Sequence, residues 1–112
     1  MPTITDNVSF ETVAREWRMK WSADDDKASL TAAQSALEGV LPALKALPGF
    51  KNVQRVVCGG CLDFKVITAL GAAEYGAWEE GGHAPEAAFL ETVKAIPGIT
   101  TVETQTFTLE TM

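Results

Sequence analysis

The chain has 112 residues, 46% of them hydrophobic and 21% charged, which is the composition of a single ordinary globular domain rather than of a disordered or multidomain chain. Its net charge of −6 argues against nucleic acid or an anionic membrane surface as a partner, because both require basic surface to displace counterions. No apolar run approaches the ~20 residues of a membrane span, and the opening MPTITDNVSFETV lacks the basic-then-apolar pattern of a secretory signal, so a cytoplasmic location is expected.

Residues 1–10 read as an N-terminal extension, and 11–112 as one domain. From Arg15 to Trp21 the odd positions Trp17, Met19 and Trp21 are apolar while Glu16, Arg18 and Lys20 are charged, the alternation of a strand with one buried face. A helix follows. Leu30, Ala33, Leu37, Val40, Leu41, Leu44 and Leu47 recur at steps of three and four, Asp24 to Asp26 are placed to cap the positive end, and Pro42 is expected to kink or restart the helix.

The helix ends in Leu47-Pro48-Gly49-Phe50, a stop followed by a reversal into a strand. The stretch Leu44 to Gln54 is echoed by Val93 to Glu103: Lys-Ala, an aliphatic residue, Pro-Gly, an apolar residue, and Val three further on. A second echo lies upstream, where Glu16-Trp17-Arg18-Met19 matches Asp63-Phe64-Lys65-Val66 as acid, aromatic, base, aliphatic. Matched points are 47 and 49 residues apart (Glu16 to Asp63, Lys45 to Lys94), so one β-α-β unit is written twice.

Between the halves stands VVCGGCLDF, residues 56–64. Its position makes it the hairpin between the second and third strands of the repeat, with Gly59-Gly60 expected to supply the positive φ of a two-residue turn. An inert turn with reduced thiols is the first reading; a cross-strand disulfide, or metal or redox work by Cys58 and Cys61, remain open beside it. A low-pKa redox cysteine gains its thiolate character at a helix N-terminus, whereas Cys61 leads into a strand, and His83 is the one further zinc-type ligand among histidines and cysteines. No metal site is expected.

In the third strand Leu62, Phe64, Val66 and Leu70 face one way, and Asp63 and Lys65 the other. A helical piece with Trp78 follows, then a Gly81-Gly82-His83 break, then Pro85 and a second piece carrying Phe89, Leu90, Val93 and Ile96. The whole is β-α-β-β-α-β, the ferredoxin-like α+β fold, with two helices covering one face of a four-stranded antiparallel sheet. Trp17, Trp21 and Trp78 are placed in the helix-facing core.

On the uncovered face Glu16, Arg18, Lys20, Asp63 and Lys65 would lie side by side, with Glu103 and Gln105 near them. For a monomer that is cross-strand charge pairing in water. If two sheets pack face to face, the same charges line an enclosed pocket in which a polar ligand must satisfy them.

From Leu44 to Leu109 the order Leu-Pro-Gly, strand, Gly-Gly-Cys-Leu-Asp-Phe-Lys-Val, helix, Ile-Pro-Gly, strand resembles the dimeric α/β barrel superfamily, and is similar to the small-molecule-binding domain of the AsnC/Lrp group. The Gly-x-x-Asp hairpin of that group is matched by Gly60-Cys61-Leu62-Asp63. The resemblance implies a homodimer and a ligand-binding role for Gly60 and Asp63. The chain departs from it in having no helix-turn-helix ahead of the domain and a longer crossover around His83, which is closer to the stand-alone barrel enzymes: cofactor-independent monooxygenases, isomerases and stress-responsive barrels.

Two functions compete, the first as the leading reading and the second as its alternative. One is a homodimeric small-molecule-binding protein in which Arg18, Lys20 and Lys65 receive an anionic group and Glu16 or Asp63 orients a polar one. The other is a cofactor-independent barrel enzyme acting on an aromatic or lactone-like metabolite, with His83, expected in a solvated loop, as general acid or base. Neither requires a cofactor. RNA binding shares the topology but is disfavoured by the acidic balance and the missing Gly-aromatic signature, and an amino-acid-binding module of the same topology stays open.

Overall fold

The computed structural model describes residues 2–112; Met1, the first residue of the expected extension, lies outside them. Nine elements follow in chain order: β1 (Thr3–Thr5), β2 (Val8–Ser9), β3 (Thr12–Lys20), α1 (Asp24–Lys45), β4 (Phe50–Val57), β5 (Asp63–Gly71), α2 (Ala72–Glu80), α3 (Glu86–Lys94) and β6 (Thr100–Leu109). The strands β1 and β2 form a hairpin of their own. The other four make one antiparallel sheet in the order β4-β5-β3-β6, which is the ferredoxin-like arrangement read from the repeat.

The alternation along β3 and β5 divides the sheet as expected. Trp17 lies opposite Val66 and Met19 opposite Phe64, all four essentially buried under the helices. From the helical layer Leu37, Leu44, Phe89 and Val93 complete this core, with Trp17 stacked on Phe89 at 4.8 Å between ring centroids. Trp21 and Trp78 are buried in it too. Each large side chain so removed from water contributes roughly 1.5–3 kcal/mol.

Both Pro-Gly sequences close in the same way. Leu47 N–H donates to Leu44 O and Phe50 N–H to Leu47 O; in the second half Ile96 donates to Val93 and Ile99 to Ile96. Gly49 and Gly98 take φ of 77° and 93°, which glycine adopts without the Cβ penalty. The second crossover is indeed two helical pieces, α2 and α3, parted by residues 81–85.

Four local expectations are corrected. Asp24 to Asp26 do not cap a right-handed turn: Asp25, Asp26 and Lys27 have φ of 54°, 55° and 62°, and the chain is instead pinned at Ser29, whose hydroxyl bridges Ser22 N–H and Ser22 O. Pro42 does not restart α1, since it sits exposed and the helix runs through it to Lys45. The positive φ of the β4–β5 connection falls on Leu62 (62°), not on Gly59-Gly60. There the loop is longer than two residues, closed by Cys58 N–H donating to Asp63 O, and Cys58 and Cys61 are joined as a disulfide rather than held as thiols, their Cα atoms 5.6 Å apart. Among the described residues no helix is long and apolar enough to cross a membrane.

Candidate functional site

The expected site residues separate onto opposite faces of the sheet. Glu16, Arg18, Lys20, Asp63 and Lys65 share the face turned away from the helices, where Lys20 lies across from Asp63 and Arg18 across from Lys65. Lys20 Nζ contacts Asp63 Oδ1 at 2.6 Å, and this hydrogen bond, with help from Lys65 and Arg18, holds the Asp63 carboxyl below its ordinary value. Gln105 donates to Glu16 Oε2 at 2.8 Å, and Arg18 approaches the same oxygen at 3.8 Å with Glu103 on its other flank. Glu16 is only 4% exposed although it stands on the uncovered face. Gly60 sits in the exposed connection at the rim.

His83 is not in this group. It lies under the helices, 8% exposed, in a loop whose Gly82 and His83 both take positive φ, and the expectation of a solvated histidine is overturned. The tight turn folds the ring inward: His83 N–H bonds to Trp78 O, and the ring meets Trp78 edge-on at 5.1 Å.

Around it stands a polar cluster that the helix-facing layer would not ordinarily contain. Tyr75 Oη is 2.8 Å from His83 Nε2 and 2.8 Å from Thr106 Oγ1. Arg15 donates from Nη1 to Thr106 Oγ1 (2.9 Å), from Nη2 to Thr104 Oγ1 (3.0 Å), and from Nε and Nη2 to the two carboxylate oxygens of Glu86 (2.8 and 3.2 Å). The bidentate geometry is the strongest form of such a pair. Glu86 Oε1 also accepts from the Trp17 indole at 2.8 Å and lies 4.0 Å from His83 Nδ1. As the first residue of α3, its carboxylate further gains from the positive end of that helix.

Charge follows from this geometry. Burial, then the nearby Arg15 cation, push His83 below its ordinary 6.5, so the ring is neutral at pH 7 and one nitrogen is free to accept a proton. Burial raises the Tyr75 hydroxyl and keeps it protonated. For Glu86 burial acts upward, but the hydrogen bonds from Arg15 and Trp17 and the charge of Arg15 outweigh it, and the carboxyl is held below its ordinary range. The bond to Glu86 raises Arg15 further, so it is a permanent cation. Beside Arg15, on the adjacent strand, Thr68 Oγ1 is buried with no hydrogen-bond partner.

Next to the cluster lies a cavity of about 500 Å³, mainly apolar, between α2 and the Leu47-Pro48 turn, with Leu70 and Ala77 in its walls and Glu74 as its acidic member. Trp78 belongs to both places: it lines the cavity, packs on His83, and donates its indole N–H to Ala84 O. Volumes of this size suit a small organic molecule.

Arg15, Tyr75, Glu86, Thr104 and Thr106 were not singled out from the sequence. Arg15 carried a usable signal, since it is in phase with Trp17, Met19 and Trp21, a lone cation on the apolar side of its strand. Tyr75, Glu86 and the threonines carried none, because each reaches the site through tertiary packing.

No family model matches the sequence, and neither does any curated protein. Among solved structures, the chain is similar to SnoaB, a cofactor-independent oxygenase from Streptomyces nogalater, at 16% identity with a TM-score of 0.61, over 91% of this chain and 96% of that one. It is similar also to Rv0793 from Mycobacterium tuberculosis, at 13% identity and a TM-score of 0.61, over 90% and 97% of the two chains. The likeness shows the ferredoxin-like α+β fold.

Proposed function

We propose that this protein is a cofactor-independent acid–base enzyme of the barrel type, acting on a small carbonyl or phenolic compound with apolar bulk. The observation that carries the reading is His83: buried, neutral, hydrogen-bonded to Tyr75, and separated by the Trp78 ring from an apolar cavity large enough for such a compound. On this reading the Trp78 ring turns aside as substrate enters from the cavity, and Tyr75 passes its proton to His83 Nε2 as it takes one from an acidic C–H or O–H, which leaves an enolate or phenolate. In an isomerase the proton returns at another carbon. In an oxygenase, the activity described for SnoaB, the enolate of a CH2 group adds to dioxygen and loses hydroxide, so that CH2 plus O2 becomes C=O plus water with no cofactor.

Oxygen uptake with anthrone, a tricyclic ketone with an acidic benzylic CH2, tests the oxygenase branch, and solvent deuterium exchange at the same carbon without oxygen tests the proton transfer. Tyr75→Phe and His83→Gln are expected to lower both by about 10²–10⁴-fold, the usual worth of a positioned acid–base group. Turnover unchanged in both variants removes the assignment.

A second reading is favoured by Glu16. A carboxylate almost fully buried on an uncovered sheet face, with Arg18, Lys20, Asp63 and Lys65 beside it, fits a homodimer whose two sheets face each other and enclose a small polar or anionic ligand, with Gly60 at the rim. Native mass spectrometry on the purified protein tests it: a dimer carrying extra mass supports the reading, and a bare monomer ends it.

A further inference from the structure

A chain of hydrogen bonds runs from Glu86 through Arg15, Thr106 and Tyr75 to His83, whose Nδ1 comes back to 4.0 Å from Glu86 Oε1, and such a loop admits few proton arrangements. Arg15 can only donate, so Thr106 Oγ1 accepts from Nη1. In one arrangement Thr106 then donates to Tyr75, Tyr75 donates to His83 Nε2, and His83 carries its proton on Nδ1, facing Glu86 Oε1 at 4.0 Å. In the other, His83 Nε2–H donates to Tyr75, Tyr75 donates to Thr106, and the bare lone pair of Nδ1 faces the carboxylate. The first sets a positive N–H edge against an anion, and the second sets two electron-rich groups against each other. The charged groups around the ring are Arg15 from β3, Glu79 from α2 and Glu86 from α3, with the Tyr75 hydroxyl also from α2; of the carboxylates, Glu86 is the one the structure places against Nδ1.

We propose that Glu86 is a positioning residue that selects the Nδ1-protonated tautomer of His83 and so aims the basic Nε2 at Tyr75. Arg15 holds the carboxylate in place through its two parallel hydrogen bonds, and Trp17 fixes the oxygen that faces the ring. A carboxylate that orients a histidine in this way need not touch substrate to matter. The inference rests on the acid–base reading of the same site, but its test involves no substrate.

His83 is the sequence's only histidine, so the 112-residue protein labelled with 15N-histidine gives one Nδ1 and one Nε2 resonance, and their couplings to the ring C–H protons report which nitrogen is protonated. In the wild type at pH 8 the Nδ1–H form is expected to predominate. Glu86→Gln is expected to reduce the Nδ1–H to Nε2–H ratio by about tenfold, equivalent to one pK unit of differential interaction, and to lower the His83 titration midpoint. Glu86→Asp, which keeps the charge but withdraws it by one methylene, is expected to reduce the ratio less, and it decides the matter if the glutamine variant does not fold. A wild-type ratio favouring Nε2–H, or a ratio unmoved by the substitution at Glu86, overturns the proposal. Absence of turnover with intact tautomer selection instead counts against the enzymatic reading alone.

Discussion

Tyr75 and His83 meet at 2.8 Å across the end of α2, Oη to Nε2, inside the layer between helices and sheet. A tyrosine–histidine pair in that layer is an unusual use of core volume, because each polar atom must find a partner there or cost about 1–3 kcal/mol. The Tyr75 hydroxyl and His83 Nε2 are satisfied by each other, and Thr106 adds a second partner for Tyr75.

The pair makes stability depend on pH. His83 is held below 6.5 in the folded chain, so the unfolded state binds its proton first as pH falls. The stability that neutral His83 represents is therefore intact above about pH 6.5 and is lost from there down to its folded value. Glu86, also depressed, adds a second loss at lower pH, below its ordinary 4.5 and down through its folded value. Urea midpoints are expected to fall between pH 7 and 5, and His83→Gln is expected to flatten that slope while leaving the more acidic one.

Arg15→Leu should destabilise the fold by about 1–3 kcal/mol, because it leaves the Glu86 carboxylate short of two donors and removes the partner of Thr104. The side chains of Arg15 and Glu86 are 17% and 15% exposed, which keeps the expected loss below that of a fully buried pair. Chemical denaturation at pH 7 measures it.

Gly49→Ala is expected to cost about 1–3 kcal/mol. Gly49 has φ of 77°, and an added Cβ would stand 2.6 Å from Glu74 Cβ, a backbone-anchored atom that cannot swing away. Gly98→Ala, at φ 93° and 3.2 Å from the Ser22 and Ser29 Cβ atoms, should cost less for contact and as much for conformation. Thermal melts of the two variants compare the halves of the repeat directly.

Reducing the Cys58–Cys61 disulfide should lower stability by no more than about 2 kcal/mol, the loop-closure entropy of so short a ring. The hairpin is closed in any case by Cys58 N–H to Asp63 O and by Lys20 Nζ to Cys61 O. Denaturation with and without reductant, against Cys58→Ser/Cys61→Ser, reads the difference.

Ile67 lies on the uncovered face directly opposite Glu16. On the homodimer reading, Ile67→Asp sets a second carboxylate beside the first and should convert a dimer to monomer in sedimentation equilibrium, with far-UV circular dichroism unchanged.

The fold was legible because its signals are local and repeated: the Pro-Gly stops and the alternation around Trp17 and Phe64 recur in both halves and agree with each other. The open-face charges were legible for the same reason, since a period of two assigns Glu16, Arg18 and Lys20 to one side whatever the tertiary structure. The buried cluster was not. Glu86 is 71 residues from Arg15, and Thr106 is 91 from it, and no periodicity relates residues that meet only when a helix lands on a sheet. His83 was found as a residue but misplaced, because Gly-Gly before it suggests an outward loop, whereas positive φ at Gly82 and His83 turns the ring in. The cysteines were misjudged by assuming a tight turn, which the positive φ at Leu62 replaces with a wider one.

The two crossovers end in matching Pro-Gly sequences but are built differently before them. In the first, α1 runs on through Pro42 to Lys45 once past the left-handed residues Asp25 to Lys27; in the second, the helical span is cut at residues 81–85, and the cut is what delivers His83 and sets Glu86 at a helix start. On the acid–base reading labour is divided between the halves, one crossover serving as scaffold and the other opened for chemistry. On that reading, a designer seeking to change the substrate could rewrite the interruption and its neighbours while leaving the first half untouched.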